Sequence, residues 1–282
     1  MVLDFDGSVA PLLDELRVPL ADWQEAVRFG CGNNTFRALA RHLATQLPAS
    51  HGPVLTGSGD FHHVSAILLE RLAIATPIDV VVLDNHPDNM RFPFGIHCGS
   101  WVRRVAALPQ VRHVHVVGIS SGDLRLVNSW AHYWAPLLAG KLTYWCVDVD
   151  VRWASVVRVA HAFRHFADIG LLLEHFTAEM HASEAPCYLS IDKDVLSRAT
   201  CQTNWDQGQM TVGDALTVVD ILQRRLIGSD VTGELSAADY HTWWKRWLSA
   251  LDHQKAVGVP DVRRAKGQHA AVNRLLLAAL GQ

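Results

Sequence analysis

The sequence lacks a strong excess of charge of either sign, and it lacks any long apolar run. Its 282 residues carry a net charge of -3 at pH 7, which provides no basic surface for nucleic acid. No stretch approaches the roughly 20 apolar residues that a helix needs to cross a bilayer. We therefore expect neither nucleic acid nor a membrane among its partners.

Cysteine is also scarce, and its placement bears on the compartment. The five cysteines are scattered and odd in number, without the spacing of a disulfide framework. The first residues, MVLDFDGS, lack the basic start and the long apolar core of a signal peptide. These features predict a cytoplasmic protein whose cysteines are reduced.

The chain does have enough apolar material for one large core. Hydrophobic residues make up 49% of it and charged residues 19%. Six or more short apolar runs alternate with helical patterns, which predicts a three-layer α/β/α architecture around a mostly parallel sheet. We expect a single domain over residues 1–282, with a helical extension from about residue 235.

One short apolar run leads directly into acidic residues. Residues 80–83 read VVVL, which is typical of a central parallel strand buried on both faces, and DNHPD follows at 84–88. Ligands of open α/β sheets bind beyond the carboxyl ends of the strands. Two carboxylates and an imidazole are costly to bury there unless a cation balances them. Asp84, His86 and Asp88 are therefore candidate metal ligands.

A second apolar run ends in the same way. Residues 186–195 read PCYLSIDKDV, so that Asp192 and Asp194 follow a short strand. Two such strands in one sheet would bring four carboxylates and a histidine to one edge. Hard oxygen ligands with little sulfur favour manganese or magnesium. Carboxylates shared between two ions about 3.5–4 Å apart form the two-metal arrangement of many hydrolases.

A pair of histidines stands at a third predicted strand end. TGSGDFHHVS, at residues 56–65, follows a short strand and precedes a helical pattern. A histidine at such a turn can point over the sheet edge, which makes His62 and His63 candidate ligands. A histidine buried in the core or capping the helix is the alternative.

In this order, the three motifs resemble the GGDHS-like, DAHxD and SxDxDxxDP motifs of the arginase–agmatinase–formiminoglutamase (ureohydrolase) superfamily. The resemblance extends from about residue 54 to about residue 235. It implies the arginase-like fold and a hydrolase with two Mn²⁺ ions per chain. The implied reaction is the cleavage of a linear C–N bond in a guanidino, amidino or formimino compound by a metal-bridging hydroxide. The resemblance also implies a homo-oligomer, since the family commonly forms trimers or hexamers.

The resemblance assigns a ligand role to each motif. Asp84 and Asp192 would bridge the two ions. The remaining ligands would be His62 and Asp88 on one ion, and His86 and Asp194 on the other. Phe61 separates Asp60 from the histidines, so His62 and His63 both remain candidates for the first ligand, with His62 the smaller displacement.

The resemblance also implies residues for proton transfer and for substrate binding. His97, in His-Cys-Gly at 97–99, matches a histidine near the metals, and His97 or Asp194 would carry a proton to the leaving amine. A loop before a helical pattern offers three candidate substrate contacts, and the end of the last predicted strand offers a glutamate that would face a cationic guanidinium. These candidates are Asn204, Trp205, Asp206 and Glu234.

The chain departs from the family pattern in its third motif, where Ser197 and Arg198 stand in place of the closing Asp-Pro. This departure keeps two alternatives open. One is a catalytically silent metal-binding protein that serves as a subunit or regulator. The other is a deacetylase-like amide hydrolase, normally with one zinc ion.

Four other patterns have simpler interpretations. DFDGS at 4–8 resembles the nucleophile loop of haloacid-dehalogenase-like phosphatases, but an edge strand ending in an Asp-Gly turn accounts for it better. The D-x-D at 148–150 fits a polar strand end. Residues 155–180 are predicted to form one helix, with a solvated histidine pair at i and i+4. Residues 257–265 are predicted to be a linker before a terminal helix.

Overall fold

The computed structural model describes residues 1–13, 15–48, 51–237, 240–251, 254 and 257–281, and within these ranges nine strands form one parallel sheet. The strands in chain order are β1 (Val2–Asp4), β2 (Arg17–Pro19), β3 (Gly30–Cys31), β4 (Val54–Gly57), β5 (Ile78–Leu83), β6 (Ile96–His97), β7 (Val111–Ile119), β8 (Leu142–Val147), β9 (Phe163–Phe166), β10 (Cys187–Asp192) and β11 (Leu226–Thr232). The order across the sheet is β2-β1-β4-β11-β10-β5-β7-β8-β9. The two remaining strands, β3 and β6, form a small antiparallel pair.

Helices cover both faces of the sheet. They are α1 (Gln24–Val27), α2 (Asn33–Gln46), α3 (Ser65–Glu70), α4 (Trp101–Ala106), α5 (Ala135–Leu138), α6 (Trp153–Val156), α7 (Ile169–His181), α8 (Val212–Leu222), α9 (Trp243–Leu251) and α10 (Val259–Leu280). In the described part of the chain, no helix is both long enough and apolar enough to cross a membrane.

Strand β5 shows why the chain forms three layers. Val80 and Val82 belong to the core that contains α2, α3 and α4, whereas Val81 and Leu83 belong to the core that contains α7, α8 and α10. Successive side chains of a strand point to opposite faces, so an unbroken apolar run supplies both cores. Burying each of these side chains contributes about 1.5–3 kcal/mol. The predicted three-layer α/β/α fold with a parallel sheet is confirmed.

The prediction of one helix over residues 155–180 is wrong. Strand β9 lies between α6 and α7 and pairs with β8, where the ring of Phe163 packs against that of Tyr144 at 5.3 Å. Asp168 then starts α7, because its side chain accepts a hydrogen bond from the backbone of Leu171. His161 and His165 are therefore not on one helix. His165 lies exposed on β9, and His161 Nε2 is 2.9 Å from the backbone oxygen of Leu137.

Both chain ends also differ from expectation. Helix α10 begins at Val259 with a proline in its first turn, a favoured position for proline, so most of the predicted linker is helical. The edge strand is β2 rather than β1, and an ion pair of 2.8 Å joins Arg17 of β2 to Asp4 of β1. The second aspartate of the DFDGS segment, Asp6, lies 3.6 Å from the buried guanidinium of Arg28.

Candidate metal centre

Three loops meet at the carboxyl edge of the sheet. Asp84 follows β5 directly, and Asp192 is the last residue of β10, which neighbours β5. A 3₁₀ turn over Gly59–Val64 follows β4 and carries His62. All three side chains are at most 3% exposed. Parallel strands end on the same edge, so residues far apart in sequence come together there.

The first group of polar side chains surrounds His62. Its Nδ1 lies 3.0 Å from Asp88 Oδ2, 3.2 Å from Asp84 Oδ2 and 3.5 Å from Asp192 Oδ2. His62, Asp84 and Asp192 each offer one ligand atom, and these atoms lie within 4.8 Å of one another. One imidazole nitrogen and several carboxylate oxygens thus converge on a single point.

The second group surrounds His86. Its Nδ1 lies 2.9 Å from Asp194 Oδ2 and 3.5 Å from Asp84 Oδ1. The ligand atoms of Asp84, His86 and Asp194 also lie within 4.8 Å of one another. Asp84 is therefore shared, with Oδ2 toward His62 and Oδ1 toward His86. Asp192 belongs to the first group alone, because its other oxygen accepts a hydrogen bond from the backbone of Asp194. The structure therefore does not place Asp192 between the two groups, as the bridging role implied by the resemblance would require.

The residues at this edge fit a divalent cation. Asp84 Oδ2 is buried and, within the described residues, accepts no hydrogen bond of good geometry. A buried carboxylate oxygen without a partner costs free energy that a cation would recover. Carboxylate oxygens suit manganese and magnesium, and the two imidazole nitrogens favour a transition metal such as manganese. The two groups and their common carboxylate have the composition of a site for two ions.

Crowding of the carboxylates perturbs their protonation. Burial and the Asp84 carboxylate raise the pKa of Asp88 to about 7. Burial, with a further contribution from Asp84, raises the pKa of Asp192 to about 6. Burial together with Asp192 and Asp84 raises the pKa of Asp194 well above its usual range. Burial disfavours the charged form of His62, but the neighbouring carboxylates of Asp84 and Asp88 raise its pKa overall. Protons thus balance the charge that a cation would otherwise balance.

Behind His62 lies a second layer of hydrogen bonds. His62 Nε2 is 3.0 Å from Ser190 Oγ, which donates to Asp230 Oδ1 at 2.8 Å. Tyr188 donates to the other oxygen of Asp230 at 2.7 Å, and Ser65 donates to Oδ1. Partners of this kind fix the ring orientation of a ligating histidine. The sequence marks Asp230 only as a residue of a predicted strand, so its role is visible only in the fold.

We expect Ser190→Ala to lower manganese affinity by about 10–100-fold, because His62 loses the contact that orients its ring. Titration of the metal-free protein with Mn²⁺, followed by calorimetry, measures this change. Thr143→Ala is the matched control, since it removes a hydroxyl that lies 2.9 Å from His113 Nε2 elsewhere in the same sheet. Equal affinities of the two variants would show that Ser190 does not support the site.

The contacts of His86 reach a candidate substrate residue. His86 Nε2 lies 2.6 Å from Asp206 Oδ1, and Asn85 Nδ2 donates to the backbone oxygen of Asp206 at 3.2 Å. Asn204 makes two hydrogen bonds with the backbone of Ser236, of 2.7 and 2.9 Å, and is 2% exposed. Asp206 therefore supports His86, and Asn204 anchors the loop that carries Asp206.

A cleft of about 640 Å³ opens over both ligand groups. Its other walls carry His97, Asp123, Trp130, Trp205 and Asp206. Three candidate residues that are not proposed metal ligands therefore line the same cleft as the acidic cluster. They are His97, Trp205 and Asp206. Asn204 and Glu234 are not among the residues that line it.

His97 is enclosed by aromatic rings at the side of the cleft. The ring centroid of Phe92 lies 4.4 Å from that of His97, and the ring of Phe29 lies at 5.9 Å. Burial lowers the pKa of His97 to about 4, so the imidazole is neutral at pH 7. Its side chain faces the backbone N–H of Ser100 in a capping box, but within the described ranges Nδ1 makes no hydrogen bond of good geometry. A neutral imidazole in this place can accept a proton or a hydrogen bond from a molecule in the cleft.

The 3₁₀ turn explains why His62 rather than His63 faces the carboxylates. Phe61 is fully buried and stacks on Phe5 at 4.6 Å, so the extra residue of the motif is absorbed in the core. His63 belongs to neither ligand group, and its ring lies 6.3 Å from that of Phe36. Burial lowers the pKa of His63 to about 3, which keeps it neutral.

The assignment of Glu234 to substrate binding needs correction. Its carboxylate is 2% exposed, and Oε1 lies 2.6 Å from the ammonium of Lys193. Asn273 Nδ2 also donates to Oε1, at 2.7 Å. A carboxylate that neutralises a buried ammonium is not free to face a substrate cation. The sequence gives the position of Glu234 at a strand end, but it does not give the direction of the side chain.

Comparison with known proteins places this geometry in context. No family model matches the chain. In sequence, the chain is 27% identical to an uncharacterized protein from Thermotoga maritima over an alignment of 236 residues. The alignment covers 80% of this chain and 78% of that protein.

Three solved structures are similar in fold. They are a proclavaminate amidinohydrolase from Streptomyces clavuligerus (TM-score 0.52, 17% identity), an agmatine ureohydrolase from Thermoplasma volcanium (0.51, 12%) and a formimidoylglutamase from Bacillus subtilis (0.50, 15%). Each match covers 88% of this chain. It covers 71% of the amidinohydrolase, 68% of the agmatine ureohydrolase and 65% of the formimidoylglutamase. At such identities the likeness concerns the fold. The chain has the three-layer arginase-like fold, as the resemblance of its motifs predicts.

Proposed function

We propose that the chain is a divergent member of the ureohydrolase superfamily that hydrolyses a linear C–N bond in a guanidino, amidino or formimino compound. The observation that carries this proposal is the shared carboxylate of Asp84, which offers one oxygen to each ligand group at the floor of the cleft. The names of two fold relatives, an amidinohydrolase and a ureohydrolase, support the same class of reaction.

Two manganese ions would be held by the two ligand groups. His62, Asp88 and Asp192 would hold one ion, and His86 and Asp194 the other, with Asp84 between them. Bound there, the ions would lower the pKa of a water molecule and polarise the carbon under attack.

The residues of the chain would orient the substrate and move protons. Asp194 is fixed by the backbone of Asn85, which donates to its Oδ1 at 3.1 Å, while Oδ2 faces His86. It lines the cleft and is placed to carry a proton to the leaving amine. Trp205 forms an apolar wall that limits water at the reacting carbon. His97, being neutral, would accept a proton or a hydrogen bond from a substrate N–H, as a general base does.

The test is a screen of the manganese-loaded protein against guanidino, amidino and formimino compounds, with release of urea, ammonia or formamide as the readout. We expect turnover of at least one class and its loss on chelation. Two bound manganese ions without turnover of any compound would favour a catalytically silent metal protein. A single bound zinc ion and turnover of acetylated amines would favour the deacetylase-like alternative.

For the substrate found in this screen, we expect His97→Asn to lower kcat by about 10²-fold, the lower end of the range for general acid–base groups. Manganese content should stay at the wild-type value, because His97 belongs to neither ligand group. His113→Asn serves as the control, since that side chain contacts Thr143 away from the cleft. An unchanged kcat in His97→Asn would exclude this histidine from the reaction.

A further inference from the structure

The residue between two candidate ligands, Lys193, has a fully buried side chain. Lys193 is 0% exposed, and it separates Asp192 from Asp194 in the turn that ends β10. Lysine is rarely buried in full without an ionic partner. Here the ammonium lies 2.6 Å from Glu234 Oε1, so an internal ion pair stands directly behind the ligand turn.

The partners of this lysine come from two distant parts of the chain. Glu234 follows β11, whereas His269 and Asn273 lie one turn apart on α10. The ammonium lies 3.0 Å from Asn273 Oδ1 and 3.0 Å from His269 Nδ1. Burial, with the charge of Lys193, lowers the pKa of His269 to about 4. His269 is therefore neutral, and its Nδ1 can accept from the ammonium.

Asn273 closes the network, because its Nδ2 donates to Glu234 Oε1 at 2.7 Å while its oxygen accepts from Lys193. All members are buried, with exposures of at most 2%. Both partners of the ion pair are thus held by one amide group of α10. A network satisfied in this way fixes one arrangement of its members.

The segment that carries Glu234 also touches a ligand. Gly233 has a φ of +89°, and a Cβ at this position would lie 2.4 Å from Asp192 Oδ1. Only glycine allows the backbone to approach the carboxylate so closely in this conformation. The Gly233–Glu234 segment therefore contacts the ligand turn twice, at the Asp192 carboxylate and at the Lys193 ammonium.

We propose that the Lys193–Glu234 ion pair, held by α10, positions the turn that presents Asp192 and Asp194 to the metal ions. The inference rests on the proposed metal-dependent function and adds a role for residues that contact neither substrate nor ion. Lys193 lies between Asp192 and Asp194 in the turn, so anchoring its ammonium to Glu234 fixes the backbone that carries both carboxylates. The last helix of the chain thereby becomes part of the metal centre.

The test is the double variant Lys193→Met/Glu234→Gln. Removing both charges leaves no uncompensated buried charge, which favours retention of the fold. We expect manganese affinity to fall by about 10–100-fold, as it does when groups that orient ligands are removed. The EPR signal of free Mn²⁺ measures this affinity. Hydrogen exchange of residues 187–197 in the metal-free protein should become faster, which reports the loosened turn without any metal.

The matched control is Asp79→Asn/Arg112→Met. This pair joins a fully buried carboxylate to an arginine, with Arg112 Nε 2.8 Å from Asp79 Oδ1, near the first residue of β5. It stands at the end of the sheet opposite to the ligand groups. Its loss should lower stability but leave manganese affinity unchanged.

Wild-type affinity and wild-type exchange in the folded double variant would overturn the inference. If the double variant does not fold, Asn273→Leu removes only the amide that α10 contributes, and the same two measurements apply to it. A wild-type protein that binds no Mn²⁺ would instead refute the proposed function. The exchange measurement would still decide whether the ion pair holds the turn.

Discussion

Asp84→Asn should remove manganese from both ion sites at once, because this carboxylate offers one oxygen to each ligand group. The manganese content measured by elemental analysis after loading should fall from about two ions per chain to almost none. Since bound metal ions supply several kcal/mol of transition-state stabilisation, turnover should fall by about 10³-fold or more.

The control for this variant is Asp150→Asn. Asp150 also follows a sheet strand in a D-x-D sequence, but it is exposed and pairs with Arg152 at 2.6 Å. Its replacement should leave metal content and activity unchanged. A folded Asp84→Asn protein that retains two ions would contradict the shared-ligand geometry. Circular dichroism of both variants verifies that the fold is retained.

The carboxyls of the metal-free site whose pKa values are raised should contribute less to the stability of the fold as the pH rises from 5 to 8. Unfolded aspartates titrate near 4, whereas burial raises the pKa of Asp88 to about 7 and that of Asp192 to about 6. Between these values the two carboxyls hold protons in the folded state that they lose in the unfolded state, so their contribution to the free energy of unfolding decreases with rising pH. His62 and His86, whose pKa values are also raised against the effect of burial, act with the same sign. His63, His97 and His269 are neutral in the folded state because their pKa values are lowered, and they act with the opposite sign below about pH 6.5.

The contribution of these carboxyls should fall by about 3 kcal/mol, which corresponds to about 5–10 °C in the melting temperature. Manganese should reverse the trend, because protons and the cation compete for the same ligands. At a fixed manganese concentration the gain should grow with pH because Kd falls, and it reaches about 2.7 kcal/mol per site where the concentration is about 100 times Kd.

Thermal melting at several pH values, with and without Mn²⁺, measures both curves. The difference in stability between the metal-free wild type and Asp88→Asn should fall with rising pH, since the variant removes a group whose pKa is raised to about 7. If the melting temperature changed with pH in the same way with and without Mn²⁺, protons and the cation would not compete for the carboxylates of the metal centre.

Much of the fold can be predicted from local sequence. Strands β5 and β10 are short apolar runs that end abruptly in aspartates, and these signals need no knowledge of distant residues. Parallel strands end on one edge, so the convergence of Asp84, Asp192 and their neighbours follows once the strands are assigned. The fold prediction is confirmed, and the structure brings His62, Asp84, His86, Asp88, Asp192 and Asp194 together at this edge.

What local sequence does not determine is the direction of a side chain and the identity of its distant partner. Glu234 turns away from the cleft because Lys193 and Asn273, 41 and 39 residues away, satisfy its carboxylate in the interior. Asp230 supports His62 through Ser190, across strands that are neighbours only in the fold. Pairing with β8 likewise makes β9 a strand within a stretch whose pattern favours a helix.

The most direct test of the account is the metal content of the purified chain. After loading with manganese and gel filtration, elemental analysis should find about two ions per chain, as expected for two ligand groups that share one carboxylate. A folded protein that retains no divalent metal would contradict the central claim that this acidic cluster is a metal centre.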